Sequence, residues 1–220
     1  YVSGVGAFFL VGCTVLFFFG GYPYPERDGD GYFQRIRAID TLFSSGWRVY
    51  VDPFHAPGRE HWNDLPERHV LVLRLRSKSR KGKCLARILA LLCAFRVRKV
   101  YFHSVLRMED CKFGRLMRIP FFMRIFDMHG VVPEEFRLHN DFFSALIYEK
   151  HERLAIRKAD IVITVTHAMR DYLLQKYPHT RTNKIVVFPI YPQMSVGQAN
   201  KAYANAIPIV VYAGGLQNWQ

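Results

Sequence analysis

The chain has 220 residues, enough for one large α/β domain or for one domain with part of another. Half of the residues are apolar and 22% are charged, which permits a substantial core and excludes a disordered chain. Lys and Arg outnumber Asp and Glu by 31 to 18, a net charge of +13, so an anionic partner is expected: nucleic acid, an anionic membrane surface or a phosphorylated substrate.

Apolar runs alternate with helical patterns, the arrangement of βαβ units around a parallel sheet. Residues 1–19 carry no charge, but no basic segment precedes them and glycines stand at 4, 6 and 12. Val15 to Phe19 therefore fits a buried strand better than a membrane span. The first strand is expected at Thr14 to Phe19, broken by Gly20-Gly21-Tyr22-Pro23. A helix follows from about Gly31 to Ser45, with Phe33, Ile36, Ile39 and Phe43 at helical spacing. Strands are expected at Trp47 to Val51 and Val70 to Leu75, with a polar loop holding His55 and His61 between them. A helix from Lys83 to Phe95 leads to strands at Lys99 to His103 and Phe121 to Phe126.

Glu134 and Glu135 then open a helix. A long helix from Asp141 to Lys158 is capped by Asn140 or Asp141. On it Glu149 and Arg153 form a surface pair, and His151 and Glu152 read as surface residues. A strand at Asp160 to Val165 precedes a helix from His167 to Lys176, capped by Thr166 and closed by Pro178. After a strand at Lys184 to Phe188, Pro189 to Pro208 reads as a linker, and Ile209 to Tyr212 starts a strand that breaks at Gly214-Gly215. The organisation expected is a domain over 14–188, a linker over 189–208 and the start of a second domain over 209–220. A chain without an initial Met that stops after one such strand is expected to be a fragment.

In an open α/β sheet the ligand crevice lies outside the carboxyl ends of the strands. Two stretches deliver chemistry there. Gly20-Gly21 allows close backbone approach to a phosphate or makes an ordinary strand-to-helix turn. The run Ile125-Phe126-Asp127-Met128-His129-Gly130 brings an imidazole that can accept a hydroxyl proton, hold a hydroxyl group, or serve structure alone. Asp127 either orients His129 or braces the loop. No G-x-G-x-x-G or Walker pattern is present, which argues against nicotinamide dehydrogenases and P-loop enzymes.

Residues 68–108 contain no Asp or Glu. There Arg76, Arg80, Lys81, Lys83 and Arg87 accompany the apolar Ile88, Leu89, Leu91, Leu92 and Phe95, which reads either as a helix lying in an anionic membrane interface or as a core helix beside a solvated basic loop. The basic residues lack interleaved aromatics and match no nucleic-acid module, so no nucleic-acid partner is expected. The cysteines (13, 84, 93 and 111) show no disulfide or zinc spacing and are read as reduced thiols of a cytoplasmic protein. The histidines show no metal-ligand pattern, and no metal is expected.

Three stretches carry a family resemblance: the strand and Gly-Gly-Tyr-Pro loop of Thr14 to Pro25; "FDMHGVVPEE" followed by "YEKHERLAIRKADIVITVTHAMRDYL" between Ile125 and Leu173; and "IVVYAGGLQNWQ" from Ile209 to Gln220. In this order and spacing the chain resembles the N-terminal half of a GT-B glycosyltransferase of the family-4 type, of the sort found in capsule and exopolysaccharide synthesis. The resemblance implies a Rossmann-like parallel sheet with helices on both faces. It implies transfer of a sugar, with retention, from a nucleotide-sugar donor to a sugar or lipid-linked acceptor, at or near the cytoplasmic membrane face. By position it makes Gly20, Gly21, Gly214 and Gly215 donor- or phosphate-facing, His129 the residue beside the transferred sugar, and Asp127 and Thr166 part of the cleft. No cofactor beyond the nucleotide-sugar co-substrate is implied.

The sequence departs from that family at two points. The basic diphosphate clamp and paired glutamates of the donor domain are absent, so the fragment is expected to be inactive by itself. Phe188-Pro189-Ile190-Tyr191-Pro192 also replaces the commoner proline-asparagine-glycine turn. Two rival readings stay open: a GT-B sugar-nucleotide epimerase, and a non-catalytic, membrane-associated binding domain.

Overall fold

The computed structural model describes residues 15–25, 31–43, 46–52, 61–65, 69–74, 81–94 and 96–189. The expected linker beyond Pro189 and the second-domain strand, with Gly214 and Gly215, lie outside these residues, as do Arg76 and Arg80.

Eight strands form one sheet: β1 (Val15–Phe19), β2 (Trp47–Asp52), β3 (His61–Leu65), β4 (Val70–Arg74), β5 (Lys99–His103), β6 (Met123–Met128), β7 (Ile161–Thr164) and β8 (Ile185–Val187), in the order β3-β4-β2-β1-β5-β6-β7-β8. All neighbours pair in parallel except β3, which runs antiparallel to β4 along the edge. The helices are α1 (Gly31–Thr41), α2 (Lys81–Ala94), α3 (Ser104–Glu109), α4 (Val132–Leu138), α5 (Phe142–Lys158) and α6 (His167–Lys176), with a 3₁₀ segment at Asp110–Arg118. This is the α/β, Rossmann-like class expected from the alternation of elements.

Side-chain alternation divides the core. Phe17, Phe19, Val49, Val51, Val100, Phe102, Phe126 and Met128 point to the face covered by α2, α3, the 3₁₀ segment and α5. Leu16, Phe18, Tyr50, Tyr101 and Ile125 point to the opposite face, where Phe33, Ile36 and Ile39 of α1 cover them. A parallel sheet buried on both faces needs strands that are apolar throughout, and Val15–Phe19 supplies five buried residues in succession.

Three expectations are corrected. The loop around His61 is a strand, β3. An edge strand pairs on one side only and needs no apolar run, so nothing in His-Trp-Asn-Asp-Leu marked it. β6 begins at Met123 rather than Phe121, because α3 and the 3₁₀ segment consume the connection after β5 and pairing starts at Lys99 opposite Met123. Glu152 is not a surface residue: it is fully buried in α5 and accepts hydrogen bonds from Lys176 Nζ and Tyr177 Oη, both at 2.7 Å. His151, also on α5, is partly buried and 2.8 Å from Glu109. The Glu149–Arg153 pair is present at 3.7 Å.

The two expected caps are in place. Asp141 Oδ1 accepts from Ser144 N at 3.0 Å at the start of α5, after Asn140 at a positive φ of 58°. Thr166 Oγ1 accepts from Met169 N at 3.1 Å at the start of α6. Thr166→Ala should lower stability by about 1 kcal/mol in urea unfolding, since it strands one N–H of the first turn. An unchanged midpoint would mean that water replaces this cap at no cost.

The shift of β6 has a consequence for chemistry. Asp127 falls inside the strand, in register with His103 and on the α1 side.

Candidate functional site

β1 lies between β2 and β5, so the chain leaves β1 on one side of the sheet and returns on the other. That reversal is the topological switch point, outside whose carboxyl edge open sheets bind ligands. At this edge β1 leads into Gly20, β5 ends in His103, and β6 ends in Asp127-Met128 with His129 just beyond. Parity along the parallel strands puts Tyr101, His103 and Asp127 on the same face, under α1.

The innermost element is an ion pair. Arg35 of α1 and Asp127 are both fully buried, and Arg35 Nε and Nη2 grip the carboxylate, with Nε 2.8 Å from Oδ2. Arg35 Nη1 also donates to Phe188 O at 2.6 Å, tying α1 to the chain after β8. Burial alone would push Asp127 up. Hydrogen bonds from His103 and Arg35, with their charges, outweigh it and hold the carboxyl well below the usual carboxylate range.

Tyr101 Oη donates to Asp127 Oδ2 at 2.6 Å, and burial followed by the Asp127 charge raises this phenol well above its ordinary value. His103 Nδ1 lies 3.1 Å from Tyr101 Oη and 3.4 Å from Asp127 Oδ2. The tyrosine proton is committed to Asp127, so Nδ1 must carry the histidine proton; this assignment follows from the network. Burial lowers the His103 pKa, so the ring is neutral near pH 7. Its Nε2 is then a bare acceptor, buried and without a hydrogen-bond partner among the described residues.

His129 stands outside this stack, half-buried, with its ring centroid 4.9 Å from that of His103 and 5.6 Å from that of Tyr32. Burial first, then the His103 and Arg35 charges, lower its pKa to about 4 against the opposing pull of Asp127. Its Nδ1 is likewise buried without a partner among the described residues. A neutral imidazole of this kind is a poor proton acceptor near pH 7 but a good hydrogen-bond partner for a hydroxyl group. Of the two roles open to Asp127 in sequence, the geometry shows the bracing one: its partners are Arg35, Tyr101 and His103. Being fully buried, it lies beneath the surface rather than along it.

Gly20 is packed against this group. A Cβ there would meet His103 Cβ at 3.2 Å and Tyr32 Oη at 3.6 Å. Gly21 is buried beside it. Thr166 is exposed at the carboxyl end of β7, on the same edge of the sheet. Sequence reasoning missed Arg35, Tyr101 and His103. Arg35 falls within the apolar stripe of Tyr32, Ile36 and Ile39, where a charge signals a buried partner, and His103 ends its strand much as His129 follows β6.

Of the basic residues singled out in sequence, Lys81 and Lys83 fall in the first turn of α2, and Arg87 is exposed. Leu85, Ile88 and Leu92 are buried against the sheet, with Leu89 and Leu91 packed beside them. The apolar face of α2 is thus a core face, not a membrane-inserting one. Among the described residues no helix is long and apolar enough to cross a membrane, and no group of three His, Cys, Asp or Glu side chains could hold a metal ion.

A basic depression of about 1030 Å³, lined by Arg153, Arg157, Arg181 and Lys184 among others, opens at the amino ends of β7 and β8. It lies at the wrong edge for a ligand crevice. Its Lys184 is engaged with the last turn of α5, through Ile156 O at 2.6 Å.

No protein-family model matches the chain, and no curated protein matches it. Solved structures do. Sucrose-phosphate synthase from Thermosynechococcus elongatus superposes with a TM-score of 0.58 at 13% identity, over 80% of this chain and 48% of that one. A second structure of that synthase gives a TM-score of 0.51 at 13% identity, over 82% of this chain and 90% of that one. A glycosyltransferase from Rickettsia africae gives 0.46 at 16% identity, over 80% and 42%, too low to argue from. The chain spans about half the length of the first synthase structure. At these identities the likeness is one of fold: the Rossmann-like sheet is of the kind found in GT-B glycosyltransferases.

Proposed function

We propose that this chain is the acceptor-side domain of a glycosyltransferase that moves a sugar from a nucleotide-sugar donor to a glycan or lipid-linked acceptor with retention at the anomeric carbon. The observation that carries the reading is the edge where Gly20, His103 and His129 converge: two neutral imidazoles with unpartnered nitrogens, at the switch point of a sheet whose fold is shared with glycosyltransferase structures. Such nitrogens suit hydroxyl groups, the functional groups a sugar presents. In the transfer, the bond from the anomeric carbon to the diphosphate breaks and a bond to the acceptor oxygen forms on the same face. The acceptor proton leaves on the departing diphosphate, since His129 is too weak a base to keep it. Stabilising that diphosphate falls to a second domain, with Gly20 and Gly21 as the near wall. Thr166, whose hydroxyl oxygen accepts from the α6 backbone, retains its own proton to donate. We place the reaction on the cytoplasmic side, in keeping with cysteines that show no disulfide spacing.

The test is a panel of nucleotide sugars offered with glycan and lipid-linked acceptors to the chain in its full protein context, read as release of nucleoside diphosphate. One donor is expected to give acceptor-dependent release and a product of unchanged anomeric configuration by NMR. An inverted product removes the retaining reading. Release that yields an epimerised sugar without acceptor supports the epimerase instead, and no release with any donor leaves a binding domain.

A further inference from the structure

We propose that the outer face of α5 docks on an anionic lipid bilayer. Leu138, at the end of α4, and Phe142, Phe143 and Leu146, in the first turns of α5, are 73%, 61%, 76% and 65% exposed. Among the described residues the other exposed large apolar side chains, Leu42, Phe121, Met123 and Val186, lie elsewhere in the fold. Phe143, Leu146, Lys150, Arg153 and Arg157 follow the three-and-four spacing that places residues along one helix face, and all five are exposed. The stripe is apolar at the amino end of α5 and basic from Lys150 onward, one turn or about 6 Å further along. Aromatic and aliphatic groups that enter an acyl boundary, backed by cations at headgroup depth, are the layout of an interfacial helix.

The topology brings the start of α2 to the same rim. β4 and β6 are parallel, so the connection into α2 starts from the same edge of the sheet as the segment that leads to α5, and the α2–3₁₀–α5 layer lies on one face. Lys81 and Lys83 therefore open α2 at that edge. A second copy of the chain is a poorer occupant. A stable interface takes roughly 20–30 residues a side, and like-charged flanks would oppose each other. The inference rests on this stripe and does not depend on sugar transfer.

The experiment is co-sedimentation of the 220-residue chain with vesicles of phosphatidylglycerol and phosphatidylcholine, and with phosphatidylcholine alone. Binding to the anionic vesicles is expected, weakened by salt and by omission of phosphatidylglycerol. Phe142→Ser with Phe143→Ser should lower it by about tenfold or more while leaving the melting temperature unchanged, because both rings are already in water. Lys150→Glu should weaken binding to anionic vesicles alone. Equal binding by the double variant and wild type overturns the proposal, as does a wild type that ignores anionic vesicles. A fall in melting temperature would mean that other parts of the chain cover the rings, and a dimer in light scattering that the double variant dissolves would mean that a second copy does. Either result overturns it. Intact transfer to a soluble acceptor by the double variant would separate docking from catalysis.

Discussion

Arg35→Met should destabilise the fold by about 3–5 kcal/mol, the range for removing one partner of a buried ion pair. Met matches the length of the arginine stem, so little volume is lost. The cost is electrostatic: the Asp127 carboxylate stays fully buried with Tyr101 and His103 but without its fixed cation, and Phe188 O loses its donor. The pH dependence gives a signature. In the wild type Asp127 is held below its unfolded value, near 3.9, so its contribution is present above that pH and is lost as pH falls below it. In the variant burial dominates, the carboxyl rises above its unfolded value, and stability recovers as pH falls through the raised pKa. The difference between the two proteins should therefore shrink on acidification. Urea unfolding at neutral and mildly acidic pH measures this. Adding Asp127→Leu should restore part of the loss but not all, because the buried Tyr101 hydroxyl would then lack its acceptor, while His103 Nδ1 keeps Tyr101 Oη within reach. A loss below about 1 kcal/mol, typical of an exposed pair, would show that the ion pair does not hold α1 to the sheet.

That dependence explains what the sequence could and could not reveal. β1 and β5 were legible because a parallel strand buried on both faces is apolar throughout, and Thr166 and Asp141 because a cap is a local bond between a side chain and a backbone three residues on. β3 was not, since an edge strand carries no such pattern. The position of His129 at the carboxyl edge followed from order alone. The role of Asp127 did not, because its main partner is 92 residues away on a helix whose packing decides the contact. The expected end of the strand at Phe126, two residues short of Met128, also left Asp127 outside β6 and so hid the pairing that sets it beside His103. His103 itself carried the same signal as His129, an imidazole at the end of an apolar strand. It lacks the acidic residues that follow His129 and open a helix.

His129→Ala, in the full protein, is expected to reduce turnover by about 10²-fold or more. The structure specifies how. With a pKa near 4, His129 is neutral throughout the pH range in which the protein would work, so no rate limb between pH 5 and 8 should arise from its titration. A hydrogen bond that strengthens as charge builds on the transferred sugar acts on kcat, whereas one of equal strength before and during transfer acts on KM alone. His129→Gln, which keeps a donor and an acceptor near the same place, should recover much of the loss, as it would not if the ring carried a proton. The same low pKa bears on stability. Unfolded histidine protonates near pH 6.5 while folded His129 and the buried His103 resist it, so stability should fall as pH drops from about 6.5 toward about 4. His129→Ala should flatten part of that slope while leaving the fold intact at pH 7.5, because the ring is only half-buried. Histidine NMR titration separates the two rings. A His129 signal that titrates near pH 6.5, or wild-type turnover in His129→Ala, would remove this residue from the chemistry and leave the bare Nε2 of His103 as the group to pursue.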